Sequence, residues 1–391
     1  MKVLYDFQIF DIQYFGGISR YFCELISYCY FNKTIEWQLP IRYSNNEYIR
    51  SLPAFQNTIF KKPDFYKEFL WGAEFRGKEK IFKVKNKFFP SLNPYEFNKV
   101  LSTNQLTRGN FDIFHPTYYD DYFLNNIGEK PFVLTVYDMI HELYPELFAL
   151  NDKTSLRKRR LAKKANKVIA ISNNTKKDLI NFYGIEEDKI FVIYLASSLN
   201  SVLNLVKIDN LPDRYILYVG DRSIYKNFYF FVQSVSPLLM DDKDLFIVCT
   251  GNKFLYNELE FFNKLRVQNK IVQYYVNDAS LAYLYRNALA FVFPPLYEGF
   301  GLPVLEAFSC GCPAVVSRIS ALCEIGGNAT IYFDPKDPSS ILESVNKVVY
   351  DYSLRKELIR KGYDRAKMFS WEKTAKETLK VYESVLEDAN R

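Results

Sequence analysis

Histidine is nearly absent from this 391-residue chain, which contains only His115 and His141. Six cysteines, at positions 23, 29, 249, 310, 312 and 323, form no CxxC pair and stand near no histidine cluster. These scarcities exclude a zinc site of ordinary ligand spacing. Scattered thiols without a framework suit a reducing compartment better than a set of disulfides. No apolar run approaches the ~18 residues needed to cross a bilayer. The opening MKVLYDFQIF enters a strand directly, without the apolar core or small-residue cleavage site of a signal peptide. The expected location is the cytoplasm. Only 15 glycines occur against 31 tyrosines and 34 phenylalanines, a bias that points to no function.

What is present is the composition of a soluble globular protein, with 48% apolar and 25% charged residues. The length exceeds one compact core and suits two domains. Net charge is +6, and it is unevenly placed: residues 1–195 carry 28 Lys and Arg against 22 Asp and Glu, whereas residues 196–391 carry 23 of each. The excess concentrates in KEKIFKVKNK (Lys78–Lys87) and RKRRLAKKANK (Arg157–Lys167). Two readings fit these runs. One is a solvated helix face; the other is a patch for anionic lipid at the inner face of the membrane, or for a phosphate-bearing acceptor. Nucleic acid is not expected, because no binding motif accompanies the charge.

Short apolar runs alternate with helical periodicity, the pattern of α/β architecture with parallel sheets. The pattern predicts strands at Lys2–Asp6, Asp112–Phe114, Phe132–Tyr137, Lys167–Ile171 and Lys189–Ile193, with helices at Ile18–Phe31, Lys153–Ala165 and Thr175–Tyr183. Residues 32–101 are irregular. A linker at Ala196–Asp213 precedes a second round of strands at Arg214–Gly220, Leu245–Thr250, Ile271–Tyr275, Ala290–Phe293 and Ala314–Ser317. Helices fit Asn227–Leu239 and Gly301–Cys310, and Trp371, Ala375, Leu379, Tyr382 and Leu386 mark a terminal amphipathic helix. The expected domains are residues 1–197, completed by 371–391, and residues 198–370.

The sharpest chemical signal is YEGFGLPVLEAFSCGCP (Tyr297–Pro313). A buried strand runs into a loop with two glycines and then a helix, with proline tolerated in its first turn. Gly299 and Gly301 allow close backbone approach, so free N–H groups at the helix start can meet an anion or a hydroxyl. Glu298 in the loop and Glu306 in the helix can line one cleft and accept from sugar or ribose hydroxyls. A strand–glycine–helix turn is common in α/β proteins, and the glutamates taken alone would read as solvated.

The full string resembles the E-x7-E signature of retaining GT-B glycosyltransferases of family 4, here Glu298-GFGLPVL-Glu306. GGISRYFCEL, FHPTYY, TVYDMIHELYPELF, VIAISNNTKKDL and VGDRSIYKNF resemble that family's successive strand-end motifs, so the likeness covers essentially the whole chain. It implies two Rossmann-like domains with parallel sheets facing across a cleft, and a C-terminal helix crossing back to the first. It implies hexose transfer from a nucleoside-diphosphate sugar, GDP-mannose being the first guess, to a glycan or lipid-linked glycan. No separate cofactor is implied.

By the same resemblance, Glu306 should bind the donor ribose and Glu298 the transferred sugar. The amides of Phe300, Gly301 and Leu302 should meet sugar hydroxyls and phosphate. Arg222 and Lys226 should face the diphosphate, Val276 the base, and Gly17 should bring the N-terminal loop to the opposite wall. Many relatives have His-Asp where Tyr137-Asp138 stands. Tyrosine, with an unperturbed pKa near ~10, is a poor base at neutral pH, so Tyr137 is left the role of hydrogen-bond donor. Pro295 likewise replaces a frequent serine. His115 is expected near the cleft and His141 beside Asp138. No D-x-D motif ends a strand, so no metal is expected. Two other functions remain open: a nucleotide-sugar epimerase of the same architecture, and a catalytically silent partner subunit.

Overall fold

The computed structural model describes residues 1–55, 58–62, 75, 77–88, 93–199 and 204–389. In the first half, β1 (Lys2–Tyr5) pairs in parallel with β2 (Glu36–Gln38) on one side and β3 (Ile113–His115) on the other. Strands β4 (Val133–Val136), β5 (Lys167–Ala170) and β6 (Ile190–Val192) pair in parallel in that order. A parallel bridge between Phe114 and Phe132 joins the two groups. The spatial order is therefore β2-β1-β3-β4-β5-β6, and the chain changes direction of travel between β1 and β3.

The second half holds a six-stranded parallel sheet: β7 (Arg214–Tyr218), β8 (Leu245–Thr250), β9 (Ile271–Tyr274), β10 (Ala290–Phe293), β11 (Ala314–Ser317) and β12 (Thr330–Phe333). Its order, β12-β11-β10-β7-β8-β9, is that of the doubly wound nucleotide-binding sheet, with the reversal between β7 and β10. Helices cover both faces, so strands such as AFVF and AVVS are fully buried and read as unbroken apolar runs.

Strand positions agree with the sequence pattern to within two residues. Three features were not read there. Strand β12 and the helices Pro338–Tyr350 and Tyr352–Ala366 complete the second half. The irregular 32–101 stretch contributes β2 and the helices Glu47–Ser51, Lys78–Phe88 and Pro94–Arg108, the last started by Asn93 accepting from the Tyr95 amide. The helix expected at Thr175–Tyr183 begins at Asn173, capped by Ser172, and widens into a π turn over Leu179–Tyr183. The expected linker lies partly outside the described residues, at 200–203.

Helix Trp371–Ala389 returns to the N-terminal half. Trp371 Nε1 donates to Ser198 Oγ at 2.8 Å, Thr374 Oγ1 to the Tyr194 carbonyl at 2.6 Å, and Lys167 pairs with Asp388 at 2.9 Å. Deeper down, the Tyr382 hydroxyl lies 2.6 Å from His115 Nδ1, whose Nε2 lies 2.9 Å from Thr135 Oγ1. His115 is fully buried, and burial lowers its pKa to about 3. The expectation that it lines the cleft is thus corrected: it is a neutral tie between the last helix and the first sheet. Tyr382→Phe should cost about 1–3 kcal/mol in urea unfolding, the range for a buried polar atom left unpaired. An unchanged midpoint would show that the tie contributes nothing.

Candidate active site

Ligands of open α/β sheets collect outside the carboxyl ends of the strands where the order reverses. In the second half this crevice lies between the loops after β7 and β10. The first loop carries Arg222 and Lys226, and the second runs from Pro294 to Gly301. The Leu296 amide donates to the Tyr225 carbonyl at 2.8 Å, locking the loops side by side. Lys226 and Glu298 consequently meet as a close ion pair, both side chains about 15% exposed. Burial opposes the charge on Lys226, but the Glu298 carboxylate overrides it and holds the ammonium above the ordinary lysine pKa. Burial pushes Glu298 upward, offset only in part by Lys226 and reinforced by the nearby carboxylates of Asp138 and Asp221.

The same loop is pressed onto the N-terminal half. A Cβ on Gly299 would fall 1.8 Å from the Tyr137 carbonyl oxygen and 3.0 Å from Asp138 Cβ, so only glycine fits. Ser172 Oγ donates to the Gly299 carbonyl at 2.7 Å. Tyr297 donates to Asp178 at 2.7 Å and accepts from the Met139 amide at 3.2 Å. Gly301 has φ 104°, and a Cβ there would meet Leu322 at 2.5 Å. As N-cap of helix Leu302–Ser309 it offers no side chain, which leaves the leading amides to an incoming ligand. Phe300 turns its ring away, toward Tyr194 and Phe369. Across the crevice a Cβ on Gly17 would lie 3.4 Å from Leu302, which places the N-terminal loop against this helix start.

Glu306 is buried and accepts from the Tyr285 hydroxyl at 3.2 Å. Burial raises its pKa, while Arg20 acts in the opposite sense. Sequence reading missed Arg20, which is seven-hundredths exposed within the GGISRYFCEL string. It crosses from helix Gly17–Asn32 to Asp278, 2.8 Å away, and contacts the Tyr48 hydroxyl. Beside this clasp a groove of about 620 Å³ opens between Tyr14, Phe15 and Tyr48 on one side and Tyr275, Asn277 and Asp278 on the other, flanking Val276.

Two expected residues point elsewhere. Arg222 is committed to Glu258, with Nε to Oε1 at 2.6 Å, and to the Asn252 carbonyl at 2.9 Å. Glu258, 2% exposed, also receives the Leu255 amide at 2.7 Å. It lies outside every motif, and no sequence signal marked it. The Tyr137 hydroxyl donates to the Thr117 carbonyl at 3.2 Å inside the core, and burial raises its pKa well above that of free tyrosine. It does not donate into the cleft. Asp138 does reach the cleft, its main-chain carbonyl held by Lys158 at 2.8 Å. His141 stacks on Phe148 at 3.8 Å and lies 3.8 Å from Asp152, and burial lowers its pKa.

The basic run also changes meaning. Lys158 is fully buried and pairs with Glu142 at 2.7 Å, while Arg160 pairs with Asp121 at 2.7 Å. Leu156, just before the run, is 70% exposed. Helix Thr154–Lys164 therefore packs with part of its charge inward, against local carboxylates, and is not a uniformly cationic face.

A carboxyl whose folded pKa lies above its unfolded value binds more protons in the native state. Stability then falls as pH rises from the unfolded value through the raised one. Glu306→Gln should remove that loss and keep an acceptor for Tyr285, so the variant should melt higher than wild type at pH 7 and no higher at pH 4. Equal melting temperatures at pH 7 would show that the buried carboxylate costs nothing.

Comparison with known proteins follows the two halves of the molecule. Residues 206–365 match the model of glycosyl transferases group 1, and residues 70–197 that of glycosyltransferase family 4. O-antigen chain mannosyltransferase B of Escherichia coli is 30% identical over 230 residues, covering 56% of this chain and 60% of the relative. The O-antigen chain mannosyltransferase RfbU of Salmonella typhimurium is 26% identical over 216 residues, covering 55% and 60%. These matches span about three-fifths of the relatives' length. Among solved structures, a glycosyltransferase from Rickettsia africae superposes with TM-score 0.67 at 18% identity, covering 98% of both chains. HepE of Anabaena, solved with UDP-glucose, gives 0.70 at 14% identity, covering 98% of this chain and all of the other. With two parallel Rossmann-like sheets meeting at Gly299, and both halves matched in sequence, the chain belongs to the group 1 and family 4 glycosyltransferases of GT-B fold.

Proposed function

We propose that this protein is a retaining, metal-independent hexosyltransferase that moves a sugar from a nucleoside-diphosphate donor to a glycan or lipid-linked glycan in polysaccharide assembly. The carrying observation is the Lys226–Glu298 pair, set at the strand reversal beside uncapped helix amides and opposite Asp138. In this reading residues 198–370 hold the donor, and residues 1–197 with 371–391 hold the acceptor. Glu306 accepts from the ribose and the Val276 backbone meets the base. Glu298 accepts from the transferred sugar, and Lys226 with the amides of Phe300, Gly301 and Leu302 faces the diphosphate. The mannosyltransferase names of the two bacterial relatives favour GDP-mannose.

The donor's bond from the anomeric carbon to the phosphate oxygen breaks while the acceptor oxygen bonds to that carbon on the same face. The acceptor proton passes to the departing diphosphate, so no protein base is required. Fixed cations and amides stabilise charge that grows on that diphosphate. The core position of the Tyr137 hydroxyl suits this route, since it leaves Tyr137 no part in the proton transfer. Because Glu258 holds Arg222, the main cationic work falls to Lys226, and Arg222 acts through the loop it stabilises. The compensated charges of helix Thr154–Lys164 support a solvated face over a membrane-binding one. No described helix is long and apolar enough to cross a membrane.

Calorimetric titration with GDP, UDP and ADP should show one of them binding wild type, with Glu306→Ala weakening it roughly tenfold or more, the scale of a lost charged hydrogen bond. Unchanged affinity would reject the ribose role. Lys226→Ala should cut turnover roughly 10²–10³-fold, by analogy with losing one oxyanion donor. It should affect KM less, because the charge develops in the transition state. Product analysis separates the other readings: an epimer formed from donor alone marks an isomerase, and nucleotide binding without turnover on glycan acceptors marks a silent subunit. Turnover that vanishes in chelator and returns with magnesium would overturn metal independence.

A further inference from the structure

Helix Gly17–Asn32 of the N-terminal half and helix Leu302–Ser309 of the C-terminal half meet at their first turns, where a Cβ on Gly17 would lie 3.4 Å from Leu302. One turn further along each helix stand Arg20 and Glu306, both buried. We propose that Arg20 is a positioning residue for the donor nucleotide, holding from the opposite half of the molecule the Glu306 carboxylate and the turn that carries Val276. The inference rests on the transferase reading above, in which Glu306 accepts from the ribose and Val276 meets the base.

Three observations carry it. The first is a chain of contacts through one helix. Arg20 Nη2 donates to both carboxylate oxygens of Asp278 at 2.8 Å. Asp278 opens helix Asp278–Asn287, and Tyr285, two turns on and on the same face, donates to Glu306 at 3.2 Å. The helix is capped by Asn277, whose side chain accepts from the Ser280 amide at 3.0 Å, and Val276 comes just before that cap. Arg20 is therefore joined to the ribose carboxylate and to the base-facing turn at once.

The second is residue type. Arginine stays charged across the working pH range and presents its donors in a rigid fork. The hydrogen bonds of Arg20 all leave from Nη2, so Nε and Nη1 have no such partner among the described residues. The ion pair thus leaves part of the fork unspent. The Tyr48 ring, 4.2 Å from the guanidinium carbon, covers one of its faces.

The third is charge. Burial raises the Glu306 carboxyl; Arg20 acts against that rise, and Asp278 adds to it. Tyr285, Tyr48 and Cys310 also face Glu306. Burial pushes both tyrosines up and the thiol to about 12, so all three stay neutral near pH 7. The charge on Glu306 is thus decided between Arg20 and Asp278. A carboxylate accepts from ribose hydroxyls more strongly than a protonated carboxyl does.

The test is calorimetric titration of the full chain with GDP, UDP and ADP between about pH 4 and about pH 8, which spans the carboxyl's titration. Affinity should fall on the acid side as Glu306 takes up its proton. Arg20→Met should weaken the nucleotide roughly tenfold at the upper end and move the acid limb up by about one unit. Asp278→Asn breaks the same ion pair but should move that limb down. Arg20→Lys keeps the charge without the fork, and its limb should stay at the wild-type position. The phosphate of the nucleotide titrates alike in every variant, so differences between variants are what is read. A contact that merely tied the halves together would lower affinity in both broken-pair variants with parallel profiles. Parallel profiles, or a limb that moves the same way in both, would overturn the positioning role. The Asp278 side chain is 36% exposed, so Asp278→Asn should fold normally; should Arg20→Met not fold, an unmoved limb in Asp278→Asn overturns the role by itself. Wild type that binds none of the three nucleotides would bring down the transferase reading, whereas binding with the variant results reversed brings down only the role of Arg20.

Discussion

The architecture depends on one contact between two stretches of backbone. The loop after β10 lies so close to the end of β4 that a single added carbon at Gly299 would fall 1.8 Å from the Tyr137 carbonyl oxygen. Ser172 and Tyr297 fasten that approach from both sides. It brings the strand reversal of the second sheet up against the end of the first, which is why Asp138 is near enough to influence the Glu298 carboxylate. A side chain at this point would separate the halves and open the pocket to water. Screening by that water would weaken every ion pair in the cleft.

Charge in the cleft is arranged in pairs. Lys226 faces Glu298, Arg222 faces Glu258, and Arg20 faces Asp278 beside Glu306. A buried ion pair is weak support for stability, because desolvating both partners offsets much of their attraction. Its value here is positional. Each cation is held on a fixed line by its carboxylate, so an anionic ligand would meet groups that need little reorganisation. Arg20 and Asp278 come from opposite halves, so this pair also joins the two.

The two sheets share a device and differ in what they put on it. Each carries a crevice where its strand order reverses. The second sheet lines that crevice with a cation, a carboxylate and bare helix amides, a set suited to phosphate and ribose. The first lines it with tyrosines and with an amide and an arginine that partner Asp6, Asp120 and Asp121.

The sequence by itself determined ten of the twelve described strands, because buried parallel strands are short continuous apolar runs. It also determined the E-x7-E loop, whose glycines and glutamates are adjacent in the chain and need no tertiary contact to be recognised. Tertiary structure alone decided partnership. Glu258 lies 36 residues from Arg222 and Asp278 lies 258 from Arg20, and no local pattern carries such pairings. For the same reason His115 and Tyr137 could be placed at strand ends from the sequence but not oriented. One points to the last helix and the other to the Thr117 carbonyl, because a strand fixes which face a side chain takes, while the neighbours that then satisfy its polar atoms come from elsewhere in the chain. The basic run at Arg157–Lys164 shows the converse: periodicity located its helix, but only packing showed that Lys158 faces inward.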